Sequence, residues 1–238
     1  MATRSSTMER SFKRLAENYV PIAEAPTFTA AGVYDKLAAL VFLVVVCGVA
    51  GVFLPPAIGF AGAAVGLGVV ITSYFRPMWS KVLAPVYAVA EGLALGVVSR
   101  VYSSYGGGIV PLAVLFTGGV FLACLLAYRT GLVKVTPRWA SVAMVGCVGL
   151  ITVSVASLIG LQIPGLSDVH SPISLIFGIV ALGIGVISLF VDFSYVEQSE
   201  RMGLAVEGEW LAAFAMLTAI VLVYVEMLRI LAFLIGRR

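Results

Sequence analysis

Seven apolar runs, each close to the ~20 residues a helical membrane crossing needs, succeed one another along the chain. They cover Lys36–Leu54, Ala57–Phe75, Lys81–Tyr102, Ile109–Tyr128, Arg138–Gly160, Pro172–Phe193 and Trp210–Ile235. The breaks between them carry turn chemistry: Pro55-Pro56, Arg76-Pro77, the SSYGGG stretch from Ser103 to Gly108, Thr136-Pro137, and the segment from Gly160 to Pro172. Only LPP divides the first two runs, so a tight helical hairpin is expected there. The pattern predicts an all-α membrane protein of seven transmembrane helices.

Ahead of these runs lies a basic arm, residues 1–35, so the domains are read as this arm and a transmembrane unit over 36–238. The arm contains no apolar core of signal-peptide kind, and no cleaved leader is expected. Met8, Phe12, Leu15 and Tyr19 recur at helical spacing with Arg10, Lys13 and Arg14 between them. Two readings fit: a short cationic helix on an anionic membrane surface, or a basic tail without fixed structure. Pro21 and Pro26 end any helix before the first run.

Composition sharpens the class. The chain is 61% hydrophobic and only 11% charged, where a soluble domain is about half apolar and a quarter charged. The net charge of +3 comes from basic residues scattered at the ends of apolar runs, which gives no footprint for nucleic acid. Lysine and arginine also set orientation. They gather in the arm (Arg4, Arg10, Lys13, Arg14, Lys36), after the second run (Arg76, Lys81) and after the fourth (Arg129, Lys134, Arg138). The loops after the first and fifth runs have none, and Arg100 alone edges the one after the third. This alternation predicts a cytoplasmic N-terminus. Arg237-Arg238 then falls outside, against the rule: either the final segment re-enters or, the reading favoured, a two-residue tail is too weak to reverse the orientation. Gly62 with Gly66, and Gly92 with Gly96, are spaced so that helix backbones can approach closely.

Candidate chemistry is confined to four ionisable residues inside the runs: Glu91 in the third, Asp192 in the sixth, and Glu226 and Arg229 in the seventh. Glu226 and Arg229 stand at i and i+3, on one helix face. Charges facing lipid are costly, so the seventh helix is expected to turn that face toward protein or a wet cavity. Asp192 lies ~30 Å along its helix from Ser171 and Glu226 ~24 Å from Trp210, at 1.5 Å per residue. Those depths predict a polar column through the bundle, not one site holding all four. Three acids face one guanidinium, so the surplus acids must hold a proton, meet water or coordinate a cation. A proton- or calcium-responsive path follows, oxygen ligands suiting hard cations. The plainer alternative is that each acid is neutral or hydrogen-bonded and fixes helix packing.

Little else suggests chemistry. Cys47, Cys124 and Cys147 lie singly in apolar runs and read as packing residues. His170 stands alone in a polar loop and reads as a solvated histidine. No HExxH, Walker-type or Ser/His/Asp pattern is visible, so neither an enzyme nor a cofactor is expected.

The seven-run layout, EGLALG in the third run, LFVDF in the sixth and VYVEMLRIL in the seventh together resemble the Bax inhibitor family, also called the transmembrane BAX inhibitor motif family, and most of all its bacterial members. The resemblance spans about residues 35 to 235 and rests on the order and spacing of the motifs. It implies two three-helix layers around a central C-terminal helix, in a bacterial cytoplasmic membrane. It also implies a pH-sensitive Ca²⁺ leak, and the surplus of acids adds H⁺ as a second candidate ion. In calcium-leaking relatives a sixth-helix aspartate, matched by Asp192, shares a proton with an aspartate on the seventh helix. That second position falls at Ala219, beside Thr218, so the partner acid is missing. Such relatives can also carry a second-helix glutamate that engages the arginine matched by Arg229. Here only Gly, Ala and Val surround position 65, and Glu91 or Glu226 is expected to supply the carboxylate. Asp192 alone predicts a shallower pH response than a coupled pair gives. Two other functions fit the resemblance less fully: a non-conducting regulator that binds membrane proteins such as a membrane-bound protease, and a secondary transporter, for which paired broken helices are the expected sign.

Overall fold

A computed structural model describes residues 27–159, 161, 165, 166, 168 and 170–236. The cationic arm through Pro26 and the closing Arg237-Arg238 lie outside the described residues. Seven helices long and apolar enough to cross a membrane make up the rest: α1 (Ala30–Gly51), α2 (Pro56–Phe75), α3 (Ser80–Ser103), α4 (Ile109–Arg129), α5 (Pro137–Leu158), α6 (Pro172–Arg201) and α7 (Gly208–Ile235). A 3₁₀ turn, Pro77–Trp79, leads into α3. The end of the bundle holding Ala30 is called proximal below, and the end holding Ile235 distal.

Five of the seven helices fall within two residues of the apolar runs at both ends; α1 and α6 differ more. Helix α1 starts at Ala30 and not near Lys36, because Thr29 caps it: the Thr29 side chain accepts from the Gly32 N–H at 3.1 Å. Lys36 is therefore inside the helix. Helix α6 runs to Arg201, well past Phe193, where hydropathy fades. Its polar end still buries Val196 and Ser199 on the stripe that holds Phe193, and Glu197 pairs with Arg201 at i,i+4. A helical pattern outlasts a hydropathy run when only one face is buried.

The helices form two trios around α7. In the first, α3 is the middle helix between α1 and α2; in the second, α6 is the middle helix against α4 and α5. Helix α7 packs on α1, α3, α4 and α6, and it shares with α3 the largest buried fraction of any span. Glycine sets the spacing in the first trio. A Cβ on Gly62 would stand 2.5 Å from the Ala90 carbonyl oxygen, and one on Gly96 would stand 2.2 Å from that of Gly48. Backbone meets backbone there, so both small-residue pairs seen in the sequence lie at real interfaces, on opposite faces of α3.

The proximal end is tied shut. Phe28 is buried and donates its N–H to the Leu204 carbonyl at 2.7 Å, in the α6–α7 connection. Toward the proximal end, Phe193, Ala212, Ala213 and Phe214 form a packed apolar layer.

Candidate functional site

Above that layer a cavity of about 750 Å³ opens between α2, α3, α5, α6 and α7. All four ionisable residues singled out in the sequence line it: Glu91, Asp192, Glu226 and Arg229. Along α7 the lining runs from Ala215 to Arg229, roughly 21 Å at 1.5 Å per residue. All four thus line one tall cavity, at the different depths that their places along the helices give them.

Within the cavity the four residues fall into two tiers. Helices α6 and α7 run antiparallel, with Gly178 opposite Glu226 and Arg229, and Gly185 opposite Leu222 and Val223. Carried toward the proximal end, that register sets Asp192 level with about Ala215. Helix α3 runs parallel to α7, with Tyr87 stacked edge-on against Phe214 and Ser99 bonded to Tyr224. The same reasoning sets Glu91 level with Thr218. The lower tier is thus Asp192 and Glu91, within about one helical turn of each other in depth, and the uncharged Ala215, Thr218 and Ala219 of α7 line the cavity there. Glu226 and Arg229 form the upper tier, ~12 Å nearer the distal end by helical rise.

The upper tier is an ion pair. Arg229 Nη1 and Glu226 Oε2 stand 3.3 Å apart, as the i,i+3 spacing predicts. Their angles make no hydrogen bond, and both atoms are buried without one. The guanidinium also lies 5.1 Å from the Phe177 ring centroid, with the Tyr102 phenol beside it. Glu226 therefore supplies the carboxylate near Arg229, and the alternative pairing of Glu91 with Arg229 is not made.

In the lower tier neither acid has a hydrogen bond or ion pair among the described residues. Glu91 leans toward α2, where a Cβ on Gly66 would stand 2.4 Å from its Oε2. A glycine on α2 thus leaves the room that a carboxylate on α3 fills. Gly178 does the same for the upper tier, since a Cβ there would meet Glu226 Oε2 at 3.3 Å. Asp192 is half-buried beside Ser188 and Cys147, which also line the wall.

Sequence reasoning missed a further buried acid, Glu209, in the first turn of α7. Its Oε1 accepts from the Thr29 N–H at 2.8 Å and from the Thr29 hydroxyl at 3.0 Å, while Lys36 Nζ donates to its Oε2. The signal was Lys36. Once α1 is started at its Thr29 cap, Lys36 sits a turn and a half inside a span and needs a partner. His170 is exposed in the turn before α6, as the solvated-loop reading expects, with its ring 5.7 Å from that of Tyr105 at the distal end of α7.

Among the described residues no group of three or more His, Cys, Asp or Glu is placed to hold a metal ion. The arrangement can instead present single carboxylates at two depths to whatever occupies the cavity. A family model described as Bax inhibitor 1 like matches residues 2–236. No curated protein matches the chain.

Proposed function

The chain belongs to the Bax inhibitor 1 like family, and on that premise we propose that this multi-pass membrane protein is a pH-sensitive cation leak, Ca²⁺ first and H⁺ second, with protonation of Asp192 affecting its gating. The membrane is the bacterial cytoplasmic one, and the proximal end faces the cytoplasm. One observation carries the reading: a tall cavity within the bundle is lined by three acids and one guanidinium.

In this account a cation enters from the distal side and first meets Glu226, whose charge Arg229 partly offsets. It then reaches the lower tier, where Asp192 and Glu91 have no fixed cation of their own. Carboxylate oxygens are the ligand type a hard cation takes, with water completing its shell. Below Asp192 the packed layer of Phe193, Ala212, Ala213 and Phe214 closes the path. A charged Asp192 draws a cation and water to that closure, and a protonated one does not, so its titration biases the gate. Ala219 leaves no second acid beside Asp192 on α7. Glu91 shares its depth from α3 and is the residue we assign to the second carboxylate of the lower tier. No catalytic step and no cofactor enter the account.

Reconstitution in liposomes tests it. Vesicles holding the protein and a Ca²⁺ indicator should take up Ca²⁺ faster than empty vesicles. A non-conducting regulator of a membrane-bound protease would show no such excess and would co-purify with its partner. Saturable exchange would mark a transporter.

A further inference from the structure

Residues 27–30, leading into α1, cross the proximal end of the bundle as a strap. Three successive amides of this segment donate to three different parts of the α6–α7 hairpin. The Phe28 N–H goes to the Leu204 carbonyl in the connection at 2.7 Å, the Thr29 N–H to Glu209 of α7 at 2.8 Å, and the Ala30 N–H to Glu200 of α6 at 2.9 Å. The first amides of a helix have no partner within it, so the start of α1 has donors to give. Carboxylates suit them, because the positive end of the helix dipole lies there. An isolated antiparallel bridge between Thr27 and Ala205 extends the seam by one residue.

Side chains seat the strap as well. Phe28 is buried against the first residue of α7, where a Cβ on Gly208 would stand 3.3 Å from its Cδ2. It belongs to the same buried cluster as Phe193, Ala212, Ala213 and Phe214, the layer that underlies the acid-lined cavity. Lys36, further along α1, also donates to Glu209. Room for that carboxylate comes from Gly32, since a Cβ there would stand 2.3 Å from Glu209 Oε2.

The layer is drawn from two helices, Phe193 from α6 and Ala212, Ala213 and Phe214 from α7. It opens when the proximal ends of α6 and α7 shift against each other. With the strap seated they are pinned, because Glu200, Leu204 and Glu209 are held by consecutive amides of one backbone. We infer that the strap is an autoinhibitory latch, and that its release from Glu200, Leu204 and Glu209 is the step that opens the proximal layer. The inference rests on the proposed leak only for what passes once the layer is open. The movement itself is a property of the helices.

A buried thiol in the layer supplies the test. Cys47, Cys124 and Cys147 are replaced by alanine and Ala212→Cys is added, so that a charged methanethiosulfonate labels the protein in nanodiscs at the rate at which the layer opens. Thr27→Cys with Ala205→Cys then puts a disulfide across the bridge, whose Cα spacing of ~4.5–5.5 Å suits one. With the disulfide formed, labelling of Ala212→Cys should all but stop. Gly32→Ala, which pushes the Glu209 carboxylate away from Thr29, should speed it about five-fold, the effect of one ordinary hydrogen bond. Phe28→Ala should speed it further. A chain that keeps only Cys147, in the wall of the cavity, should label at one rate with the disulfide present or absent. Equal labelling of Ala212→Cys with and without the disulfide, or equal slowing at Cys147, overturns the latch. Labelling that follows the strap while none of these proteins carries Ca²⁺ into liposomes keeps the latch and sinks the leak.

Discussion

Replacing Glu209 by alanine removes the acceptor on which the proximal closure converges. The side chain is 3% exposed and receives the Thr29 N–H, the Thr29 hydroxyl and the Lys36 ammonium. Alanine leaves the Thr29 N–H without its acceptor and Lys36 without its anion. Breaking a buried pair from one side costs ~3–5 kcal/mol. Lys36 is 21% exposed and can turn toward the headgroups, which favours the lower figure. A loss of about 3 kcal/mol is expected, equivalent to roughly 6–12 °C in melting temperature on the scale of soluble domains of this size. Cys47, Cys124 and Cys147 are free, so a thiol-reactive dye reports unfolding of the purified protein in detergent. Lys36→Met should cost less alone, and the double variant less than the sum, because the two changes remove one interaction. A shift below about 2 °C for Glu209→Ala, or strict additivity with Lys36→Met, would refute the clamp.

Other expectations follow from the same contacts. Gly96→Val should abolish folding or cost well over 3 kcal/mol, because even a Cβ would stand 2.2 Å from the Gly48 carbonyl oxygen; retention of the protein after detergent extraction reads this. Gly66→Ala should displace the Glu91 carboxylate, and adding Glu91→Ala should recover part of the lost thermal stability because the clash disappears. Arg229→Met should destabilise by ~2–4 kcal/mol, discounted from the full buried-pair cost because the pair faces a cavity. Exchanging Glu226 and Arg229 should restore much of that stability, whereas Glu91→Arg with Arg229→Glu should show no mutual rescue, since the two residues occupy different tiers.

Much of this architecture was legible in the amino-acid order because a bilayer imposes one strong rule. Apolar runs bounded by Pro-Pro, Arg-Pro and Gly-rich breaks became helices nearly to the residue, and Glu226 with Arg229 had to share a face. What the runs concealed was everything decided by packing between helices. Hydropathy started α1 at Lys36, so a lysine inside a helix was read as a flanking charge, and its partner Glu209 went unnoticed. Depth along separate helices set Asp192 apart from Glu226, as the two tiers do, but said nothing of Glu91. The parallel course of α3 and α7 brings Glu91 near the level of Asp192. Glycines explain the rest: Gly66 and Gly178 make room for carboxylates that belong to neighbouring helices. A glycine at an interface says that something comes close, and only the fold says what.

The most direct test of the proposed leak is Ca²⁺ flux into liposomes as a function of pH, compared among wild type, Asp192→Asn and Glu91→Gln. Wild type should carry flux above empty vesicles, with a shallow pH dependence suited to two weakly coupled acids facing one cavity. Asp192→Asn should flatten that dependence, and Glu91→Gln should lower the flux while leaving a response centred on Asp192. The same pH profile in wild type and Asp192→Asn, or no flux above empty vesicles in any of the three, would contradict the account.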